Sequence, residues 1–383
     1  MINRIFLERV KEYLYIRSLQ LPGFYAGMKK AYILRSALLF FLGGWIFPSF
    51  RFKNGRYLIA SIRHIELIEL NKRHQLVLLG GPNEFFYAIK NGCGFINTSN
   101  FYVSLTFNAF FDIKQLAILE YFVEKLSVKI KKIDKLKYLI IDSYGLPYKR
   151  TLCLLIQALE KKVVCLQHGI FPDPYQGIDG SLCDLNIVID ANQKTVFMNS
   201  GLKENALVLL SVVSNEKNEN IYYKEVRPTL VLIGEGWLSH DQDRHLKYKS
   251  FLKKIKQQLK DLNIRVVFRP HPSERFLFWE YWDLLPIETA KRSQNIFPWN
   301  VYLGTTSSLL VYSEKMGAVA IQITDLLPIK ETYKEYGVMQ ITALRVVEYI
   351  NRLNIQKKLQ NQVINKKIIT LDLDKISESI SLV

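Results

Sequence analysis

Ile264-Arg265-Val266-Val267-Phe268 runs straight into Arg269-Pro270-His271-Pro272, and Asn300-Val301-Tyr302-Leu303 runs into Gly304-Thr305-Thr306-Ser307-Ser308. The second loop opens a helix expected over Leu309 to Met316, and Gly317 then admits a further buried strand, Ala318-Val319-Ala320-Ile321-Gln322-Ile323. Strand, polar loop, helix, strand is the grammar of a parallel α/β sheet, in which ligands bind beyond the carboxyl ends of the strands. The stretch sets the fold class as α/β.

The same grammar recurs upstream. Gln75 to Leu79 reads as a buried strand turning at Gly80-Gly81 into a helix, and Tyr138 to Ile141 as a strand ending at Asp142-Ser143-Tyr144-Gly145. A helix to Leu159 leads to the strand Val163 to Leu166, which delivers Gln167-His168-Gly169. Leu185 to Ile189 is a further strand, with Ala191 to Asn199 as its helix. Residues 215–227 are polar and end at Pro228, as a linker does; Thr229 to Ile233 then runs into Gly234-Glu235-Gly236-Trp237 and a charged helix over Asp241 to Leu259. The expected organisation is a helical segment over 1–50, one Rossmann-like domain over 51–215, a second over 228–345, and a helical tail over 346–383 that packs back on the junction.

At 383 residues the chain suits two domains. With 49% hydrophobic and 23% charged residues it is neither disordered nor fibrous. The net charge of +17 requires an acidic partner or surface. The basic residues are scattered and no nucleic-acid motif occurs, so anionic lipid and a phosphorylated substrate account for the excess better than nucleic acid does. The four cysteines (Cys93, Cys153, Cys165, Cys183) lack metal spacing and read as reduced core thiols in a cytosolic setting.

Residues 1–35 interleave Arg4, Arg9, Lys11, Arg17, Lys29, Lys30 and Arg35 with apolar positions, as an interfacial amphipathic helix does. The uncharged run Ser36 to Phe50 is shorter than the roughly 20 residues a spanning helix needs, and Gly43-Gly44 and Pro48 break it. It follows acidic Glu8 and Glu12 and leads to no small-residue cleavage site, which argues against a secretory signal. Residues 1–50 thus read as a peripheral membrane-seating element, with a buried helical hairpin as the competing reading.

Two prolines fix the backbone around Arg269 and His271, a pair suited to an anionic oxygen or, equally, to a turn whose histidine caps a neighbour. Thr305 to Ser308 places hydroxyls at a helix start, where N–H groups favour phosphate; capping alone calls for one of them. Glu314 lies further along that helix as either a ribose acceptor or a surface carboxylate. His168, Asp142 and Glu235 each stand at a strand end; a satisfied structural histidine is the alternative for His168 and an Asx-turn residue the alternative for Asp142. No GxxxxGK[ST], strand-linked GxGxxG or metal cluster occurs, which weakens kinase, dehydrogenase and metallohydrolase readings.

Gln167-His168-Gly169, Arg269-Pro270-His271-Pro272 and Thr306-Ser307-Ser308 with Glu314 and Gly317, in this order on two α/β halves, resemble bacterial GT-B glycosyltransferases of surface polysaccharide synthesis. The relatives meant are sialyltransferases and Kdo transferases using CMP-linked sugars, together with the teichoic-acid CDP-glycerol glycerophosphotransferases. The resemblance implies two Rossmann-like domains facing across a cleft, with His271, Ser307 and Ser308 on the nucleotide phosphate. Asp142 is the closest match to the sialyltransferase base, although the acidic pair of that family is here Asp142-Ser143-Tyr144-Gly145. His168-Gly169 matches the His-Gly element of the glycerophosphotransferases. The base stays open among Asp142, His168 and Glu235.

The resulting expectation is a metal-independent glycosyltransferase without cofactor, seated on the cytoplasmic face of the cell membrane. Arg269, His271, Thr306, Ser307, Ser308, Glu314 and Glu235 would bind a nucleotide-activated sugar, a CMP-sugar by preference. A saccharide or lipid-linked acceptor would meet Asp142 or His168. A CDP-alditol phosphotransferase and a non-catalytic nucleotide-sugar-binding protein are the alternatives.

Overall fold

The computed structural model describes Leu42 and residues 44–60, 75–101, 116–142, 147–167, 169–171, 180–209, 217–218, 229–237, 242–260, 264–271, 285–286, 300–327, 333–352 and 365–366. The chain divides into two compact units, Met1–Val213 with Ile369–Val383, and Ser214–Ile368.

Seven parallel strands build the first unit: β1 (Tyr57–Ile59), β2 (Leu76–Gly80), β3 (Gly94–Asn97), β4 (Tyr138–Ile141), β5 (Lys162–Leu166), β6 (Leu185–Val188) and β7 (Leu207–Leu209). Their spatial order is β3-β2-β1-β4-β5-β6-β7, so the winding direction reverses between β1 and β4. The connecting helices are α1 (Pro82–Asn91), α2 (Leu116–Lys131), α3 (Pro147–Ala158) and α4 (Ala191–Asn199). Alternate strand residues supply opposite faces, as the two-residue period of a strand requires. Leu58, Val77, Leu79 and Leu139 pack with α2 and α3, whereas Tyr57, Ile59, Leu78 and Tyr138 pack on the side of Ala88 in α1. Both faces are covered, which is why these strands read as unbroken apolar runs.

Two local features follow from side-chain chemistry. Glu84 folds back to accept the Gly81 N–H at 2.9 Å, and a Cβ on Gly80 would stand 2.4 Å from its Cγ. The paired glycines therefore make room for an internal cap. All four cysteines are buried and free. Burial pushes the Cys183 thiol well up, and the neighbouring Cys153 and Cys165 add to that, which keeps it protonated and unreactive.

In the second unit a two-residue ladder joins β8 (Lys217–Asn218), inside the stretch read as linker, to Asn365–Lys366, the last strand among the described residues. The main sheet holds β9 (Thr229–Ile233), β10 (Arg265–Arg269), β11 (Val301–Gly304), β12 (Val319–Ile323) and β13 (Met339–Ile341), all parallel, in the order β10-β9-β11-β12-β13. Helices α5 (Gln242–Gln258), α6 (Leu309–Lys315) and α7 (Val346–Arg352) complete it. Val346 and Ile350 of α7 are buried in this unit's core with Leu230, Phe268 and Ile321. The second domain thus extends past residue 345; residues 353–364 and 367–383 of the expected tail lie outside the described residues.

Residues 1–41, most of the expected membrane-seating segment, likewise lie outside the described residues. Among those described, no helix is long and apolar enough to cross a membrane.

Candidate functional site

The second sheet reverses its winding between β9 and β11, and the loops that leave these two strands meet there. Register brings Arg269 opposite Ile233, Leu303 opposite Leu232 and Gly304 opposite Gln322, so β10, β9, β11 and β12 deliver their loops at one edge. A crevice at such a reversal is where open α/β sheets bind ligands.

Glu235 spans it. The Thr305 N–H donates to Glu235 Oε1 at 2.6 Å, and the Thr306 N–H and hydroxyl donate to Oε2 at 3.1 and 2.9 Å. Gly304 permits the approach: a Cβ there would lie 2.8 Å from Oε1. Burial pushes the Glu235 carboxyl up from the ordinary glutamate range, while the hydrogen bonds from Thr305 and Thr306 act in the opposite sense. The flanking Gly236 adopts φ 80°, a left-handed conformation that suits glycine at this turn.

A polar layer holds the loop from beneath. Gln322, fully buried in β12, donates from Nε2 to the Thr305 carbonyl at 2.7 Å and accepts the Tyr333 N–H at 3.0 Å. Tyr333 in turn donates its hydroxyl to the Thr306 carbonyl. Sequence reasoning passed over Gln322 and Tyr333, because a buried amide in an apolar strand has no spacing that marks it.

Arg269 ends β10 and is buried, with its carbonyl accepting the Gly234 N–H at 2.7 Å, and His271 follows it half-buried. Ser307 turns its Oγ to the Leu309 N–H at 3.3 Å, whereas the Ser308 side chain makes no capping hydrogen bond. Arg269, His271, Glu235 and Thr306 thus belong to adjacent strand ends, and Ser307 and Ser308 continue the same loop. Glu314 stands apart in the second half of α6: a Cβ on Gly337 would lie 3.4 Å from its Oε1, and its charge helps raise Tyr349, chiefly raised by burial. Glu314 thus neighbours the Gly337 turn and Tyr349 of α7.

In the first unit Asp142 follows β4, beside the reversal point, and is buried in an ion pair with Lys149 of α3. The sequence reading missed this lysine. His168 lies outside the described residues, but its neighbours are fixed. Gln167 donates to the Gly169 carbonyl at 2.7 Å and to Gln193 Oε1, and accepts the Ile189 N–H at 3.0 Å. Gln193 also accepts the Phe171 N–H at 2.9 Å. Among the described residues no three of His, Cys, Asp and Glu come together as a metal site would need.

The chain matches no protein-family model and no curated protein. Solved structures do resemble it. UDP-GlcNAc 2-epimerase from Neisseria meningitidis, bound to UDP-GlcNAc, superposes with TM-score 0.54 at 10% identity over 86% of this chain and 100% of that one. Anabaena Alr3699/HepE in complex with UDP-glucose gives 0.54 at 11% identity over 85% and 98%. UDP-GlcNAc 2-epimerase from Methanocaldococcus jannaschii gives 0.52 at 9% identity over 86% and 99%. At such identities the likeness is one of fold, and it places the chain's two parallel-sheet α/β domains with the GT-B architecture.

Proposed function

We propose that the protein is a glycosyltransferase using a nucleotide-activated sugar, with the second unit holding the donor. One observation carries this reading: the N–H groups of Thr305 and Thr306 and the Thr306 hydroxyl converge on a carboxylate at the sheet's reversal point. A loop that organises three donors around a negative oxygen offers the same donors to phosphate. Arg269 and His271 on the adjacent strand end supply positive charge and a ring N–H, and Ser307 and Ser308 extend the hydroxyl set. Donors placed in advance stabilise charge building on the leaving phosphate. Glu235 competes for these positions, so donor binding displaces or reorients it. In the first unit Asp142 or His168 would take the proton from the hydroxyl of a saccharide or lipid-linked acceptor.

The order of His271, Ser307 and Ser308 supports a CMP-sugar donor, and a role in capsule, lipopolysaccharide or related surface polysaccharide follows from that resemblance. The neighbours described with UDP-GlcNAc and UDP-glucose support a UDP-sugar instead. They also favour a second reading, a nucleotide-sugar 2-epimerase. Thermal unfolding with CMP, CDP, UDP, GDP and ADP tests the site, because a ligand of the folded state alone raises its stability. Stabilisation by a pyrimidine nucleotide is expected; no response to any nucleotide overturns the reading. Incubation with UDP-GlcNAc in D2O then separates the chemistries: epimerisation exchanges the hydrogen at C2, whereas transfer leaves it in place.

A further inference from the structure

The amino-terminal border of the first unit carries an apolar surface that no part of the nucleotide reading uses. Trp45 is 77% exposed, Ile46 64%, Phe86 60% and Ile89 57%. These residues are neighbours. The Phe47 ring sits 4.7 Å from that of Phe85 and 5.6 Å from that of Phe86, which docks residues 45–47 on α1. Phe86 and Ile89 are three apart on that helix and share a face. The segment is held firmly: Asn97 donates from Nδ2 to the Phe47 carbonyl at 2.6 Å, and its N–H donates to Ser49 Oγ at 3.0 Å.

Basic residues outnumber acidic ones beside the patch, where Glu124 and Asp134 are the acidic neighbours in sequence of Lys125 and Lys132. From Leu42 to Tyr57 the chain has Arg51, Lys53 and Arg56 and no acidic residue. Lys129 of α2 donates to Ser49 Oγ at 3.0 Å, bringing the basic end of that helix, with Lys125, Lys131 and Lys132, to the same border. The sequence of residues 1–41 has seven basic and two acidic residues. The Lys129 ammonium is depressed by burial and then by the charge of Lys125, a crowding of cations that an anionic partner relieves.

We propose that this border of the first unit seats the protein on an anionic lipid bilayer. Exposed Trp and Phe beside an apolar stripe, with a net excess of Lys and Arg next to them, match the headgroup boundary, where aromatic rings sit shallowly and cations meet phosphate. A second copy of the chain fits less well, since it would set lysines against lysines across an apolar contact. The proposal stands apart from the nucleotide reading: vesicle binding and nucleotide stabilisation are separate measurements, and each fails without the other.

The test is co-sedimentation of the full chain with phosphatidylcholine vesicles containing about a quarter phosphatidylglycerol, against phosphatidylcholine alone. Preferential binding to the anionic vesicles is expected. Trp45→Ser with Ile46→Ser should lower it about tenfold, with an unchanged thermal midpoint. Ile89→Ser, on a separate element, gives a second readout of the same surface, and Lys125→Gln with Lys132→Gln should reduce the preference for anionic lipid. Unchanged partitioning of both apolar variants overturns the proposal. So does a dimer that these variants convert to monomer in the absence of vesicle binding.

Discussion

Glu235 answers two opposed demands, because burial raises its carboxyl while three donors reward its charge. Glu235→Ala leaves the Thr305 and Thr306 N–H groups without their acceptor, at a cost of about 1–3 kcal/mol for each donor left unsatisfied. Inorganic phosphate should recover part of that loss in the variant and much less in the wild type, as denaturant titration with and without phosphate would measure. The pH dependence has a definite sign. A carboxyl raised in the folded state contributes fully below its unfolded value near 4.5, and loses that contribution as pH rises through the folded value. The stability difference between wild type and Glu235→Ala should therefore fall with rising pH across that window. Asp142 poses the complementary case. Its pairing with Lys149 is buried, so Lys149→Met strands a carboxylate and should cost about 3–5 kcal/mol, whereas Asp142→Asn with Lys149→Met costs less than that single change. Urea unfolding of the three chains decides it. Neither partnership was legible beforehand: Glu235 and Thr305 are 70 residues apart in sequence, and nothing in the spacing of Asp142 and Lys149 separates a pair from two solvated charges.

At the scale of elements, the long buried strands announced themselves and the short ones did not. Parallel strands covered on both faces leave continuous apolar runs, which is why Gln75 to Leu79, Val163 to Leu166 and Ala318 to Ile323 read as strands from sequence. β1 has three residues, β3 begins with Gly94 and ends at Asn97, and β13 is Met-Gln-Ile; none supplies enough apolar length to stand out from a loop. The omission of β1 matters, since it marks where the first sheet reverses. The loop after β11 reads from sequence as a helix start that favours phosphate, but the sequence does not show the reason for its glycine. Gly304→Ala would push a methyl to 2.8 Å from Glu235 Oε1 and should destabilise the protein by about 1–3 kcal/mol. The same change in a Glu235→Ala background should cost less, a coupling that a double-mutant cycle measures directly.

The described residues form two large parallel sheets, each with its own core, and this division has an expected calorimetric signature. Scanning calorimetry should resolve two transitions, with the stabilising nucleotide moving one of them first, the one that belongs to the unit carrying Glu235 and the Gly304–Ser308 loop. A single transition that moves as a whole would mean the units unfold together. Two-domain organisation was visible in the recurrence of strand, loop and helix. The extent of the second domain was not, because α7 reads from sequence as the beginning of a tail, although Val346 and Ile350 are core residues.

One small contact has a consequence for aggregation. Phe50 exchanges backbone hydrogen bonds with Phe95 at 2.9 and 2.8 Å, closing the outer margin of β3. Gly94 allows the chain to lie so close there, since a Cβ would meet the Arg51 carbonyl oxygen at 2.4 Å. A sheet margin left bare is a template for strands of other molecules. A shortened chain beginning at Arg51, an obvious choice for removing the greasy amino-terminal residues, should therefore aggregate more readily than the full chain as concentration rises, as light scattering would reveal. On that expectation, the residues that look most like a solubility problem are the ones that cover the margin of β3.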